Sequence, residues 1–107
     1  MKFAITVLPL AIQDIEEIHR FILNREGSPR AGKILDGLEQ SIRDLAENPN
    51  RGHSLPELLS LGFKDVLEIH FKPYRIIYKV GPNDVTVFIV ADGRRDLQEL
   101  LEKRTLR

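Results

Sequence analysis

Hydrophobic residues change their spacing repeatedly along the chain, and each change marks a new element. Phe3, Ile5 and Val7 alternate with Ala4 and Thr6, which predicts a first strand ending at Pro9. Ala11, Ile15, Ile18 and Ile22 then recur at steps of four, three and four, the pattern of an amphipathic helix with Asp14, Glu17 and Arg20 expected on its polar side. That helix stops near Gly27. Ser28 is expected as the N-cap, with Pro29 at the first helical position, of a second helix whose stripe is Ala31, Ile34, Leu35, Leu38, Ile42 and Leu45. Asn48-Pro49 closes it, because proline disfavours helix in the residue before it. The two helices form an antiparallel hairpin.

Residues 49–64 hold no period and are punctuated by Gly52, Pro56 and Gly62, so they read as a long loop with one turn at 56–59. Three strands follow, at 65–71, 74–80 and 85–92, joined by tight connections at Lys72-Pro73 and at residues 81–84. On the middle strand Ile76, Tyr78 and Val80 share one face and Arg75, Ile77 and Lys79 the other; one face packs on the helices and the other partly meets water. Leu97, Leu100 and Leu101 then predict a short third helix, which either docks on the core or leaves an apolar strip for a partner. The expected fold is α+β, in the order β-α-α-β-β-β-α, with the helical hairpin on one face of a mostly antiparallel four-stranded sheet. With 107 residues, a single domain spanning 1–107 is expected, large enough to build a core without disulfides or a structural metal.

Composition narrows the chemistry. There is no cysteine, which excludes a disulfide framework, a thiolate zinc site and a cysteine nucleophile. Sixteen basic and sixteen acidic side chains cancel, which argues against nucleic-acid binding through global charge. No stretch approaches the length of a membrane span, and the apolar run near the N-terminus lacks a cleavage site and is read as folded chain. Residues 27–34, Gly-Ser-Pro-Arg-Ala-Gly-Lys-Ile, imitate a phosphate loop, yet Ile34 stands where a magnesium-binding hydroxyl belongs and Pro29 has no N–H to offer. His19, His53 and His70 lack metal-ligand spacing, and His19 and His53 read as solvated side chains. No metal and no cofactor is expected.

The remaining chemistry lies near the end of the last strands. Arg75, Arg94, Arg95 and Lys72 are expected to converge at one end or face of the sheet, where guanidinium forks suit carboxylates and phosphates. Surface pairing of the arginines with Asp92, Asp96 or Glu68 is the competing reading. Cleavage of RNA through its 2′-hydroxyl would need a base and an acid beside the cation. Glu68 and His70 share a strand face and Asp92 follows the last strand, but no second histidine or tyrosine completes a set. Tyr74 and Tyr78 are candidates for stacking, with Tyr78 assigned to packing.

At these residues the chain resembles the ParE/RelE superfamily of toxins from type II toxin–antitoxin systems, also described as plasmid stabilisation proteins, over nearly its full length. The resemblance rests on Ala11-x-x-Asp14-Ile15-x-x-Ile18, Leu45-x-x-Asn48-Pro49-x-x-Gly52, Pro73-Tyr74-Arg75-Ile76-Ile77-Tyr78 and Asp92-Gly93-Arg94-Arg95-Asp96-Leu97, in that order. It implies a cytoplasmic toxin neutralised by a cognate antitoxin in a hetero-oligomer, acting either on DNA gyrase by direct binding or, alternatively, as a ribosome-dependent mRNA endoribonuclease of RelE type. Arg75 and Arg95 fall where RelE-like nucleases hold arginines. Glu68 and His70 stand where those enzymes carry lysines, and Leu101 where they carry a tail tyrosine. The Pro-Tyr-Arg strand and Arg-Arg-Asp tail look more like the ParE branch, in which histidine often occupies the position of Asp92. Gyrase binding is therefore the favoured expectation, with Arg75, Arg94, Arg95, Tyr74 and Asp92 as target-binding candidates, and Arg75 and Arg95 as the catalytic pair if the protein is a nuclease.

Overall fold

The computed structural model describes residues 2–60, 62 and 65–105. The chain runs β1 (Ala4–Val7), α1 (Pro9–Glu26), α2 (Ser28–Asp44), β2 (His53–Ser54), a single helical turn α3 (Pro56–Leu59), β3 (Val66–Phe71), β4 (Tyr74–Val80), β5 (Asp84–Asp92) and α4 (Leu97–Thr105). Part of the expected loop, residues 61 and 63–64, lies outside the described residues. The sheet order is β1-β5-β4-β3-β2, with β1 parallel to β5 and every other pair antiparallel. The sheet thus has five strands rather than four. The extra one is a two-residue edge strand, in which His53 pairs with Glu68 and Ser54 with Leu67, too short to leave a period in the sequence.

The hairpin packs as its stripes require. Ala11 and Ile22 of α1 and Ala31, Ile34, Leu38 and Ile42 of α2 are buried against Ile69, Ile76, Tyr78, Val85, Val87 and Val90 of the sheet. Gly27 alone separates the two helices, at φ 90°, a conformation that costs glycine little and other residues much. Ser28 is already helical, so it is not the N-cap; Gly27 holds that position. The segment resembling a phosphate loop is this joint and the first turns of α2. Gly37 lies directly over Phe71, where any Cβ would collide with the ring.

The opposite face of the sheet meets water in part, as expected, at His70 and Lys79, and the rest of it carries a second core. Leu97, Leu100 and Leu101 of α4, with Leu55 and Leu58 around α3, bury Val66, Ile77, Ile89 and Ala91. The third helix is therefore docked. At its start Asp96 accepts the Glu99 N–H at 3.1 Å, an N-cap that begins the helix immediately after the β5 turn. A bulge makes the second core possible: Ile77 pairs with Ile89 but Tyr78 with Val87, leaving Phe88 as the extra residue. It reverses the alternation of β5, so that Val85 and Val87 before it and Val90 after it all face the helical hairpin.

Asp14 is also not on a polar face. It is only 9% exposed, and its carboxylate takes both Nη1 and Nη2 of Arg104 at 2.7 Å, together with the Val90 N–H at 3.0 Å. Arg104 donates further to the Phe88 carbonyl at 3.2 Å. The first helix, the last strand and the last helix meet at this pair. Tyr78 is fully buried, and its hydroxyl donates to the Pro49 carbonyl at 2.8 Å while accepting the Gly52 N–H at 3.0 Å. It ties the loop after α2 to the middle strand, a packing role consistent with its core position.

Replacing Arg104 by Leu leaves the Asp14 carboxylate buried without its cation and is expected to destabilise the protein by about 3 kcal/mol in urea unfolding; adding Asp14→Leu should recover part of that loss. Full additivity of the two losses would show that the pair is not coupled. Tyr78→Phe should cost about 1–2 kcal/mol, because it strands the Gly52 N–H and the Pro49 carbonyl.

Candidate functional site

Two open cavities, each of about 540 Å³, lie at the end of the sheet where β3 turns into β4 and β5 stops. Tyr74 lines both. Register explains the arrangement, since Tyr74 pairs with Asp92 across β4 and β5, and Arg75 with His70 across β3 and β4. The expected cation cluster is thus gathered at one end of the sheet but divided. Arg75 and Lys72 line the first cavity and Arg94 and Arg95 the second.

The first cavity is built on the sheet face opposite the helical hairpin. Alternation along β3 puts Val66, Glu68 and His70 on that face, and β2 sets His53 beside them. Glu68 is buried at 4% exposure and is chelated by Arg75, whose Nε reaches Oε1 at 2.9 Å and whose Nη2 reaches Oε2 at 2.6 Å. His70 Nε2 also hydrogen-bonds Oε1. Burial alone pushes the Glu68 carboxyl up, but the hydrogen bonds from Arg75 and His70 and their charges outweigh it, so the group sits below the usual carboxylate range. Pairing of Arg75 with Glu68 is therefore the buried version of the competing reading.

His53 is exposed, as expected, but it is not isolated. Its ring stands edge-on to that of His70, with centroids 5.7 Å apart, because residues diagonal across an antiparallel pair lie on one face. The sequence offered no second imidazole for this site; the two-residue pairing of β2 supplies it. Among the described residues, no group of three His, Cys, Asp or Glu side chains is placed to hold a metal ion.

The second cavity lies between α1 and the end of β5. Its walls are Asp14, Glu17, Ile18 and Phe21 from α1 and Tyr74, Val90, Ala91, Asp92, Arg94 and Arg95 from the sheet and its final turn. The turn has its own lock. Asp92 Oδ1 accepts the Arg94 N–H at 2.9 Å and Arg94 Nε at 3.0 Å, and the Asp92 carbonyl accepts the Arg95 N–H at 3.0 Å. Those side-chain and backbone hydrogen bonds from Arg94 hold the Asp92 carboxyl below its ordinary value. Desolvation, then the charge of Asp92, raises the Tyr74 hydroxyl above its own. Arg94 has a side chain 91% exposed, so its pairing with Asp92 adds little to stability and orients the turn instead.

Four of the five target-binding candidates, Tyr74, Asp92, Arg94 and Arg95, line this second cavity, while Arg75 belongs to the first. Sequence reasoning missed Phe21, which is 60% exposed with Arg25 stacked 5.3 Å from its ring centre. It also missed Asp14, although a signal was present: Asp14 stands three residues after Ala11 and four before Ile18, within the apolar stripe.

Residues 5–97 match the family described as ParE toxin of type II toxin-antitoxin system, parDE. The chain is 24% identical over 92 residues to Toxin ParE3 of Caulobacter vibrioides (strain ATCC 19089 / CIP 103742 / CB 15), covering 86% of this chain and 88% of that one. Its fold is similar to a chain in the solved structure "Chromosomal ParDE TA system from P. aeruginosa", with a TM-score of 0.71 at 14% identity, covering 85% of this chain and 96% of that chain. Among the described residues, no helix is long and apolar enough to cross a membrane.

Because the folded carboxyl of Glu68 titrates below its unfolded value near 4.5, its contribution to stability is full above that pH and is lost as the pH falls through the lowered value. Glu68→Gln should therefore flatten the acid limb of a stability–pH curve between neutrality and pH 3 while lowering the plateau. An unchanged limb would show that the carboxylate is not preferentially ionised in the folded state.

Proposed function

The chain belongs to the ParE toxin family of type II toxin–antitoxin systems, and on that premise we propose that it acts by binding DNA gyrase directly, through the cavity between α1 and the end of β5. The observation that carries this reading is the convergence of Tyr74, Asp92, Arg94 and Arg95 with Phe21 and Ile18. Exposed aromatic and arginine side chains around a concave, partly apolar patch are what protein–protein hot spots are made of. Asp92 contributes by fixing the turn on which the two arginines stand.

The alternative, ribosome-dependent cleavage of mRNA, draws support from the facing imidazoles of His53 and His70, which offer the acid–base pair the sequence appeared to lack. It is weakened at Arg75. The guanidinium that would stabilise a phosphorane donates through Nε and Nη2 to a buried carboxylate, and a fixed negative charge there opposes a developing one. The exchange of expected lysines for Glu68 and His70 acts in the same direction.

We further infer a cognate antitoxin as the neutralising partner, in a cytoplasmic hetero-oligomer. A second surface suits it. Ile5 and Val7 of β1, Ile12 and Ile15 of α1 and Leu35 and Ile42 of α2 line a largely apolar groove of about 510 Å³, with Glu16, Glu39 and Arg43 as its charged lining and none of Arg75, Arg94 and Arg95 in it. Such a groove fits the apolar face of an amphipathic segment, and the outer edge of β1 adjoins it.

Purified, antitoxin-free protein is expected to inhibit gyrase supercoiling. Arg95→Ala and Phe21→Ala should each weaken that inhibition by roughly tenfold or more, the scale of a hot-spot truncation, with an unchanged circular-dichroism spectrum. Undiminished supercoiling at a large excess of folded toxin would sink the gyrase reading, and cleavage of mRNA on ribosomes would replace it.

A further inference from the structure

The cleft between α1 and the end of β5 carries its charge unevenly, and the unevenness describes what it can hold. Asp14, Glu17, Phe21 and Arg25 recur at steps of three, four and four along one face of α1, so the stripe passes from two carboxylates to an aromatic ring and then to a guanidinium. The acidic end is already answered, because Asp14 chelates Arg104, which also feels the charge of Glu17. Glu17 and Arg25 stand about 12 Å apart along the helix, beyond a Debye length, so the other end is electrostatically separate.

β5 runs alongside α1 in the same sense. Its Val90 N–H meets Asp14, and Asp92 lies further on, paired with Tyr74, whose hydroxyl feels the charges of Arg30 and Glu26 from the joint between the two helices. The turn that bears Arg94 and Arg95 therefore stands at the Phe21 end. Two of the cations there have an anion of their own: Arg94 pairs with Asp92, and Arg30 with Glu26. Arg25 and Arg95 do not. The guanidinium of Arg25 lies 5.3 Å from the Phe21 ring centre, both arginines are exposed, and neither has a carboxylate within pairing distance among the described residues.

Phe21 is 60% exposed, the most of any large hydrophobic side chain among the described residues, and Ile18 and Tyr74 continue its surface into the cleft. An apolar patch rimmed by unpaired guanidiniums is complementary to a chain that carries apolar and acidic side chains side by side. We propose that this cleft takes an acidic-apolar peptide segment, its apolar side chain covering Phe21 beside Tyr74 and its carboxylates reaching Arg25 and Arg95. The proposal rests on the reading of the cleft as the gyrase-binding surface and names what gyrase presents to it: carboxylates on both sides of a leucine or an aromatic residue.

The test uses the purified full chain and three short peptides with acetylated and amidated ends. Each has a phenylalanine–leucine pair flanked on both sides by glutamates, by glutamines or by lysines, and each is titrated while amide NMR signals are observed. The glutamate peptide is expected to shift Phe21, Tyr74 and Arg95 and, at about 50 mM salt, to bind roughly tenfold more tightly than the glutamine peptide, the scale of two or three exposed ion pairs. The lysine peptide should bind most weakly, and at about 1 M salt the advantage of the glutamates should vanish. Arg25→Gln combined with Arg95→Gln should remove that advantage at low salt. Both side chains are exposed, so the variant is expected to keep its fold, which its amide spectrum reports. Lys79→Gln, which removes a cation at the opposite end of β4 from Tyr74, should leave the advantage intact and so separates a local site from net charge. No shift at these residues with about 5 mM glutamate peptide, a range that would still reveal millimolar affinity, overturns the proposal. So does equal affinity for the glutamine peptide, or an advantage that survives in the folded double variant. Gyrase enters last: relief of supercoiling inhibition by the glutamate peptide assigns the segment to gyrase, whereas binding in the cleft without relief keeps the segment and removes gyrase as its bearer.

Discussion

The carboxylate of Asp14 joins the first helix, the last strand and the last helix at one point. β1 covers only the first half of β5, pairing with residues 84–87, so the outward backbone groups of the second half have no neighbouring strand. Asp14 receives the Val90 N–H and Arg104 caps the Phe88 carbonyl, and the two side chains are themselves joined in a bidentate pair. Together they stand in for the missing strand and satisfy a sheet edge that would otherwise be an unpaired template. The bulge at Phe88 sets the phase of β5 at this point, and the docking of α4 brings in the cation. Desolvating the pair costs free energy, so its value lies in specifying one arrangement of hairpin, sheet and last helix as well as in net stability.

That arrangement determines where the arginines go. With α1 fixed against the end of β5 and α4 beginning at Leu97, the short turn between Asp92 and Asp96 has little freedom, and it presents Arg94 and Arg95 over the cleft that Phe21 and Tyr74 complete. The proposed binding surface is therefore a by-product of edge protection. Asp14, which lines that cleft, belongs to both.

Division of the cations between two cavities also shapes the electrostatics. A chain with no net charge keeps one guanidinium in a buried pair with Glu68 and exposes two others on a turn. Arg75 is thereby a structural cation first. Removing it would leave the Glu68 carboxylate buried with only His70 beside it, so the loss of an activity in an Arg75 variant would report on the fold before it reported on chemistry. Arg94 and Arg95 carry no such burden, since the turn they occupy is held by backbone and by Asp92.

Local spacing by itself determined the elements: the stripes of α1 and α2, the alternation of β3 to β5 and the leucines of α4 are short-range consequences of helix and strand geometry, and they fall where the periodicity places them. Punctuation by Gly27, Pro49 and Lys72-Pro73 located the joints for the same reason. What tertiary structure alone decided were the pairings that no tight turn or shared strand announces. The partnership of Asp14 with Arg104 spans ninety residues, the second imidazole depends on a strand of two residues, and the separation of Arg75 from Arg94 and Arg95 depends on which side of a sheet each side chain leaves. A period records which face a residue takes within its own element; it carries no information on what another element will set against that face.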